Sequence, residues 1–155
     1  MVFSMPQTLR AALPFCAQAQ LSLGFDSENG NFDGMSHSGI LLVLRNLGPR
    51  PCQLTALPAL VFQNLHGRVL DIATRPTGNA PAPRLAVGAE ATAALRWVSS
   101  PVYSHSHCLK SAQLSVSWPE GKLNRSLAAF ICGAGGGPAS VAQAPLATDP
   151  PPPHS

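Results

Sequence analysis

Apolar residues recur at every second position in several short stretches of the chain, with Ser, Thr, Gly or Arg between them. The clearest stretches are residues 21–25, 91–97 and 114–118. This alternation is typical of a strand that buries one face. Four shorter or more continuous apolar runs are also predicted as strands: residues 40–44, 60–62, 69–72 and 123–131. No stretch shows a sustained helical period, so the pattern predicts about seven strands and no long helix.

Turn-forming segments separate these runs at about the 8–12-residue spacing of a β-sandwich. The chain has 13 glycines and 16 prolines, and Asn64-Leu65-His66-Gly67 is a hairpin signal. We therefore predict an all-β, immunoglobulin-like antiparallel sandwich over residues 16–134, with a long loop after the first strand. Residues 1–15 are interpreted as a remnant of an export signal. Residues 135–155 are interpreted as a flexible Gly/Pro-rich tail, on which Val141 and Leu146 could dock.

The four cysteines, Cys16, Cys52, Cys108 and Cys132, all lie at ends of predicted strands. If the strands alternate up and down, the first two cysteines share one end and the last two share the other. Of three possible connectivities, only Cys16–Cys52 with Cys108–Cys132 joins partners at the same end, within the ~7 Å Cα limit. The alternatives are a structural zinc site, disfavoured because no Cys-x-x-Cys pair is present, and reduced buried thiols in a cytosolic protein.

Charge is sparse and evenly spread. Charged residues make up 11% of the chain and the net charge is +3. Nucleic-acid binding needs clustered cations, and the chain has no such cluster, so we do not expect it to bind nucleic acid. No apolar run reaches the ~18 residues of a membrane span. Paired cysteines favour a periplasmic or secreted location, although the N-terminal apolar stretch is weak and interrupted by Pro14.

Two loops that share one end of the predicted sandwich contain possible metal ligands. The first loop has Asp33, Met35 and His37, and the second has His105 and His107. In an extended His-x-His segment both imidazoles point to one side. Imidazole suits copper or zinc, and a thioether favours cuprous copper. The competing interpretation is that the histidines are solvated and that Met35 closes the end of the sandwich.

The sequence supports a catalytic site less well than it supports a metal site or solvated loop histidines. A triad of Ser36, His107 and Asp33 would be built on loops, without a recognisable oxyanion hole. We therefore expect no enzyme activity and no cofactor apart from the copper or zinc considered above.

The segment Asn46-x-Gly48-x-x-x-Cys52-x-Leu54 resembles the signature of a bacterial exported family, domain of unknown function 4232. In the same family a cysteine precedes this signature, a Leu-x-x-Gly turn precedes an Ala-rich strand, and two cysteines follow. Here these features correspond to Cys16, residues 85–88, Cys108 and Cys132. Residues 32–39 and 95–98 resemble a proteobacterial branch. The resemblance implies an immunoglobulin-like domain that is periplasmic, lipid-anchored or secreted, with no established activity.

The expected function is thus a non-enzymatic binding or interaction domain of the bacterial cell envelope. We expect a monomer whose partner is an envelope protein or a small ligand. The alternative is a periplasmic metal-binding domain that uses the Asp33, Met35, His37, His105 and His107 set. The step from sandwich fold to binding role is an analogy between folds.

Overall fold

A computed structural model of the chain describes residues 13–101, 107–133 and 137–148. These residues form eleven strands and two short 3₁₀ turns, Gln18–Gln20 and Glu28–Gly30. The strands are β1 (Leu21–Asp26), β2 (His37–Asn46), β3 (Cys52–Gln53), β4 (Ala59–Gln63), β5 (Ala73–Pro76), β6 (Arg84–Leu85), β7 (Glu90–Val98), β8 (Cys108–Trp118), β9 (Gly121–Cys132), β10 (Ser140–Gln143) and β11 (Ala147–Thr148). The predicted all-β class is confirmed, with more strands than seven.

The strands form two layers. Hydrogen bonds give the order β1-β2-β7-β9-β8-β4, but β7 and β9 meet at a single register pair, Val98 with Cys132. The other neighbours pair over five to ten residues. The first layer is therefore β1-β2-β7, with β10, β11 and β5 added beyond β7. The second layer is β4-β8-β9, and β3 with β6 forms a separate small ribbon.

The core lies between the two layers and follows from the alternation in the sequence. Leu42 and Leu44 of β2 are fully buried, as are Leu114 and Val116 of β8. Trp118 is also buried, and its indole Nε1 donates a hydrogen bond of 2.7 Å to the carbonyl oxygen of Cys16. A buried indole usually finds such a partner for its N–H. This bond ties the chain before β1 to the end of β8.

Both predicted disulfides are present. Cys16 pairs with Cys52 at a Cα separation of 4.8 Å, and Cys108 pairs with Cys132 at 4.0 Å. The first lies at the end where β8 finishes, and the second joins opposite residues where β8 begins. The up-down strand count therefore gave the correct pairing.

One predicted strand is placed differently. Residues 69–72 contribute a single bridge, Val69 with Gln63, and a hydrogen bond of 2.8 Å from Leu70 N to the carbonyl oxygen of Phe62. The chain then crosses to the first layer, where Ala73–Pro76 forms β5. The hairpin turn is present, but the strand that follows it is β5, which pairs with β10 from much later in the chain.

The predicted tail boundary is wrong for residues 137–148. The short strand β10 lies between β5 and β7, parallel to the first and antiparallel to the second. Val141 and Leu146 are fully buried, so the docking considered for these two residues is confirmed. These two apolar side chains hold the segment on the sandwich because each fills a position in the core. The first loop is also shorter than expected, since β2 begins at His37.

Candidate functional site

Two arginines lie in one row on the outer face of the first layer. Arg75, Ala142, Arg96 and Gly39 are register partners across β5, β10, β7 and β2. Register partners on neighbouring strands point to the same face. Because Leu95 is buried in the core, this row points outward. At about 4.8 Å per strand, the two arginine Cα atoms are about 10 Å apart, with Ala142 between them.

The connection between β1 and β2 folds over this face and forms one wall. Gly34 and His37 pair through a hydrogen bond of 3.0 Å from Gly34 N to His37 O. The turn carries Phe32 over Gly39, where an added Cβ would lie 3.1 Å from Phe32 Cβ. The guanidinium carbon of Arg96 lies 5.1 Å from the centre of the Phe32 ring. This is a cation–π arrangement, and it fixes the direction of the Arg96 side chain.

The result is an open cleft of about 620 Å³, which we call the arginine cleft. Its lining consists of Phe32, Gly34, His37, Ser38, Arg75, Arg96, Trp97, Val98, Ser140 and Ala142. In the described part of the chain, neither Arg75 nor Arg96 forms an ion pair. Asp33 lies beside the cleft and accepts a hydrogen bond of 2.8 Å from the Ser38 hydroxyl. The cleft thus combines two exposed cations with an apolar floor and an aromatic wall.

The predicted metal ligands fall in different places. Met35 is at the tip of the β1–β2 turn and is 91% exposed, so it does not close the end of the sandwich. His37 lines the arginine cleft. The carbonyl oxygen of His107 accepts a hydrogen bond of 3.0 Å from Gly133 N, and the His107 residue is exposed. His105 lies outside the described residues.

The structure does bring His37 of the first predicted loop and His107 of the second to one end. His37 is opposite Val98, and Val98 is opposite Cys132, whose disulfide partner follows His107. Within residues 13–101, 107–133 and 137–148, no group of three or more His, Cys, Asp or Glu side chains is placed to hold a metal ion. Because His105 is not among these residues, the copper or zinc hypothesis stays a prediction.

The opposite layer has a second, more apolar groove of about 600 Å³. Leu65 at the hairpin tip and Phe130 of β9 line it and are 83% and 43% exposed. Its one charged side chain is Lys110, opposite Phe130 in the β8–β9 ladder. Fewer aromatic and basic side chains line this groove than line the arginine cleft.

The residues of the Asn-x-Gly signature have structural roles. Asn46 is fully buried, and its Oδ1 accepts a hydrogen bond of 2.9 Å from Gly48 N. Its Nδ2 donates to the carbonyl oxygens of Arg50 at 2.8 Å and Leu85 at 3.2 Å. One amide therefore fastens the end of β2 to the turn before β3 and to β6.

The remaining signature residues complete the same end. An added Cβ at Gly48 would lie 2.6 Å from Gln20 Cβ, so only glycine fits there. Gly88 has a φ of 82°, which suits glycine, and its N–H donates to Asn46 O at 2.8 Å. Cys52 and Leu54 are fully buried. The signature thus specifies the end of the sandwich opposite the arginine cleft.

Sequence reasoning did not identify Arg75 or Arg96 as site residues. Arg96 alternates with the buried Leu95 and Trp97, which predicts only that it points outward. Arg75 reaches it only through β10, which the sequence pattern assigned to the tail. The arginine row therefore depends on a long-range strand pairing.

Of the comparisons with known proteins, only the one with family models finds a match. A family model described as "Domain of unknown function (DUF4232)" matches residues 16–148. No curated protein matches the chain, and no solved structure matches it. The matched range includes both disulfides and the late strands β10 and β11. Among the described residues, no helix is long and apolar enough to cross a membrane.

Proposed function

The chain belongs to the DUF4232 family, and we propose that it is a non-enzymatic binding domain exported to the bacterial cell envelope. In this proposal it is periplasmic or secreted and recognises a ligand in the arginine cleft. The two disulfides support export, because such bonds persist mainly in oxidising compartments. All four cysteines are paired, which leaves no free thiol.

The observation that carries the proposal is the preformed cleft on the outer face of the first layer. Small-molecule sites are concave, have volumes of about 300–1,000 Å³, and combine apolar walls with a few polar groups. The arginine cleft has this size and composition. Its aromatic wall rests on Gly39, and its floor is part of a regular sheet. The ligand is therefore a small molecule, or a side chain or chain terminus of an envelope protein.

A ligand screen tests this proposal. The thermal midpoint of the protein is measured against a library of small metabolites, for the parent protein and for Ala142→Trp. Ala142 lies on the floor between the two arginines, so tryptophan fills the cleft. Ala128→Trp is the control: Ala128 is exposed in β9 on the other layer and lines the second groove, so tryptophan there fills that groove instead.

We expect at least one ligand to raise the midpoint of the parent and of Ala128→Trp but not of Ala142→Trp. Ligands that stabilise all three proteins equally would place binding outside the cleft. Export is tested separately by cell fractionation and by alkylation without reductant. Recovery in the cytoplasm with four alkylated thiols would contradict an exported domain.

A further inference from the structure

We infer that the ligand of the arginine cleft is a small organic anion, whose carboxylate or phosphate group is held between Arg75 and Arg96. This inference rests on the proposed function and specifies its ligand class. The two guanidinium groups come from one register row, and the residue between them is Ala142, which has a small side chain. Ala142 therefore has an arginine residue on each side of it in the row.

The same sheet face contains an arginine that is neutralised by a carboxylate on the neighbouring strand. Arg45 and Glu90 are register partners on β2 and β7, and their side chains form an ion pair of 2.9 Å. Arg96 lies on the same face of β7, six residues after Glu90, but its register partners are Gly39 and Ala142. Neither partner carries charge. The sheet thus provides a carboxylate for one arginine and leaves the other without one.

Two cations that line one cleft and have no carboxylate partner repel each other. A single anion between the guanidinium groups removes the repulsion and gains two charge-assisted interactions. Asp33 accepts a hydrogen bond from the hydroxyl of Ser38, which lines the cleft, but in the described part of the chain it forms no ion pair with Arg75 or Arg96.

The donor geometry also fits an oxyanion. A guanidinium carries five N–H donors in its plane, at its edge. Arg96 places its cationic carbon over the Phe32 ring, which leaves edge donors for carboxylate or phosphate oxygens. Ser140 lies two residues before Ala142 on the same face of β10 and lines the cleft. Its hydroxyl has no hydrogen-bond partner in the described part of the chain, so it can donate to the same anion.

The size of the cleft limits the anion. Polyanion surfaces need many cations along a groove, whereas the described cleft has two arginines in about 620 Å³. A compact ligand with one or two anionic groups fits, and its apolar part can lie against Phe32 and Val98. A membrane surface or a nucleic acid is therefore disfavoured.

The test is calorimetric titration of the whole chain at low salt with four probes. Succinate and inorganic phosphate represent the two anion sources, phenyl phosphate adds an apolar group, and succinamide is the uncharged analogue of succinate. The variants are Arg75→Gln and Arg96→Gln, both exposed positions. Arg125→Gln, exposed on β9 of the other layer, is matched to them in charge and residue type.

We expect at least one anionic probe to bind the parent, and succinamide not to bind. Loss of a hydrogen bond to a charged group costs ~1.5–3 kcal/mol, so each cleft variant should weaken binding by about tenfold or more. Arg125→Gln should bind like the parent. Tighter binding of phenyl phosphate than of phosphate supports the apolar wall, and the better of succinate and phosphate identifies the anion source.

Two results would overturn the inference. The first is that no anionic probe binds the parent at millimolar concentration, and the second is that anions bind all three arginine variants equally. A separate arm keeps the proposed function distinguishable from the anion inference. A neutral ligand that is blocked by Ala142→Trp but unaffected by Arg75→Gln and Arg96→Gln would refute the anion and preserve the binding domain. Midpoints of thermal unfolding confirm that every variant is folded.

Discussion

Replacing Asn46 with alanine should be among the most destabilising single changes in this chain. The residue is fully buried, and its amide joins three chain segments through bonds to Gly48 N, Arg50 O and Leu85 O. Each intramolecular hydrogen bond contributes about 0.5–1.5 kcal/mol, and a buried group left without a partner costs about 1–3 kcal/mol. Three lost bonds and a newly unpaired buried N–H therefore amount to about 2.5–7.5 kcal/mol. A domain of ordinary stability has only about 5–15 kcal/mol in total.

The assay is urea unfolding followed by fluorescence of the two tryptophans, which are both buried. The control is Asn79→Ala, because Asn79 is exposed in the Pro-rich connection before β6. Asn79→Ala should change the free energy of unfolding by less than about 0.5 kcal/mol. A loss below about 1 kcal/mol for Asn46→Ala would refute the structural role assigned to the signature asparagine.

Asn46→Asp separates hydrogen bonding from packing, because it keeps the shape and replaces the donor with an acceptor. The introduced carboxylate would face the carbonyl oxygens of Arg50 and Leu85. Burial and this repulsion raise the pKa of the new carboxyl above its unfolded value. The destabilisation should therefore be largest at neutral pH and shrink as the pH falls, since the protonated acid is the favoured form when folded. A variant whose deficit grows on acidification would contradict this arrangement.

Three further changes have defined outcomes. Gly39→Ala should lower thermal stability and weaken any ligand of the cleft, because its Cβ would lie 2.6 Å from the Leu95 carbonyl oxygen; Gly24→Ala, with no atom within 4 Å, should do neither. Leu146→Ala should cost about 2–5 kcal/mol in urea unfolding, whereas Leu65→Ala, at an exposed position, should change little; equal effects would contradict a docked C-terminal segment. Replacing both cysteines of the Cys16–Cys52 disulfide with alanine should lower the free energy of unfolding by about 3–4 kcal/mol, because the bond closes a loop with a sequence separation of 36. An unchanged urea midpoint would contradict a stabilising role for this disulfide.

Period-two alternation predicted β1, β7 and β8 because each buries one face. Ala91, Ala93 and Leu95 on β7 show this plainly, since all are buried and their neighbours are not. The disulfide pairing followed from the predicted strand order, because strands that run alternately up and down decide which cysteines share an end of the sandwich.

The late strand β10 could not be predicted from this pattern. It is four residues long and has one fully buried apolar side chain, Val141. Its pairing with β5 joins residues that are distant in sequence, and local propensity carries no information on such contacts. Residues 69–72 are predicted as a strand from their apolar run alone, but in the structure they form only one bridge, Val69 with Gln63.

The candidate site was accordingly predictable only in part. The loop that contains Asp33, Met35 and His37 does lie beside a cleft, and His37 lines it. The side chains that give the cleft its charge are Arg75 and Arg96, and their juxtaposition exists only when β10 is in place. The sequence pattern points to histidines as metal ligands, but no local pattern places Arg75 beside Arg96.

The most direct test of ligand binding in the arginine cleft is a titration of ¹⁵N-labelled protein with succinate and with phosphate, followed by amide chemical shifts. If the anion binds in the arginine cleft, the amide chemical shifts change saturably at Phe32, Arg75, Arg96 and Ala142, and the amides around Leu65 keep their shifts. Shifts centred on Leu65 and Phe130, or none at saturating anion, would contradict it.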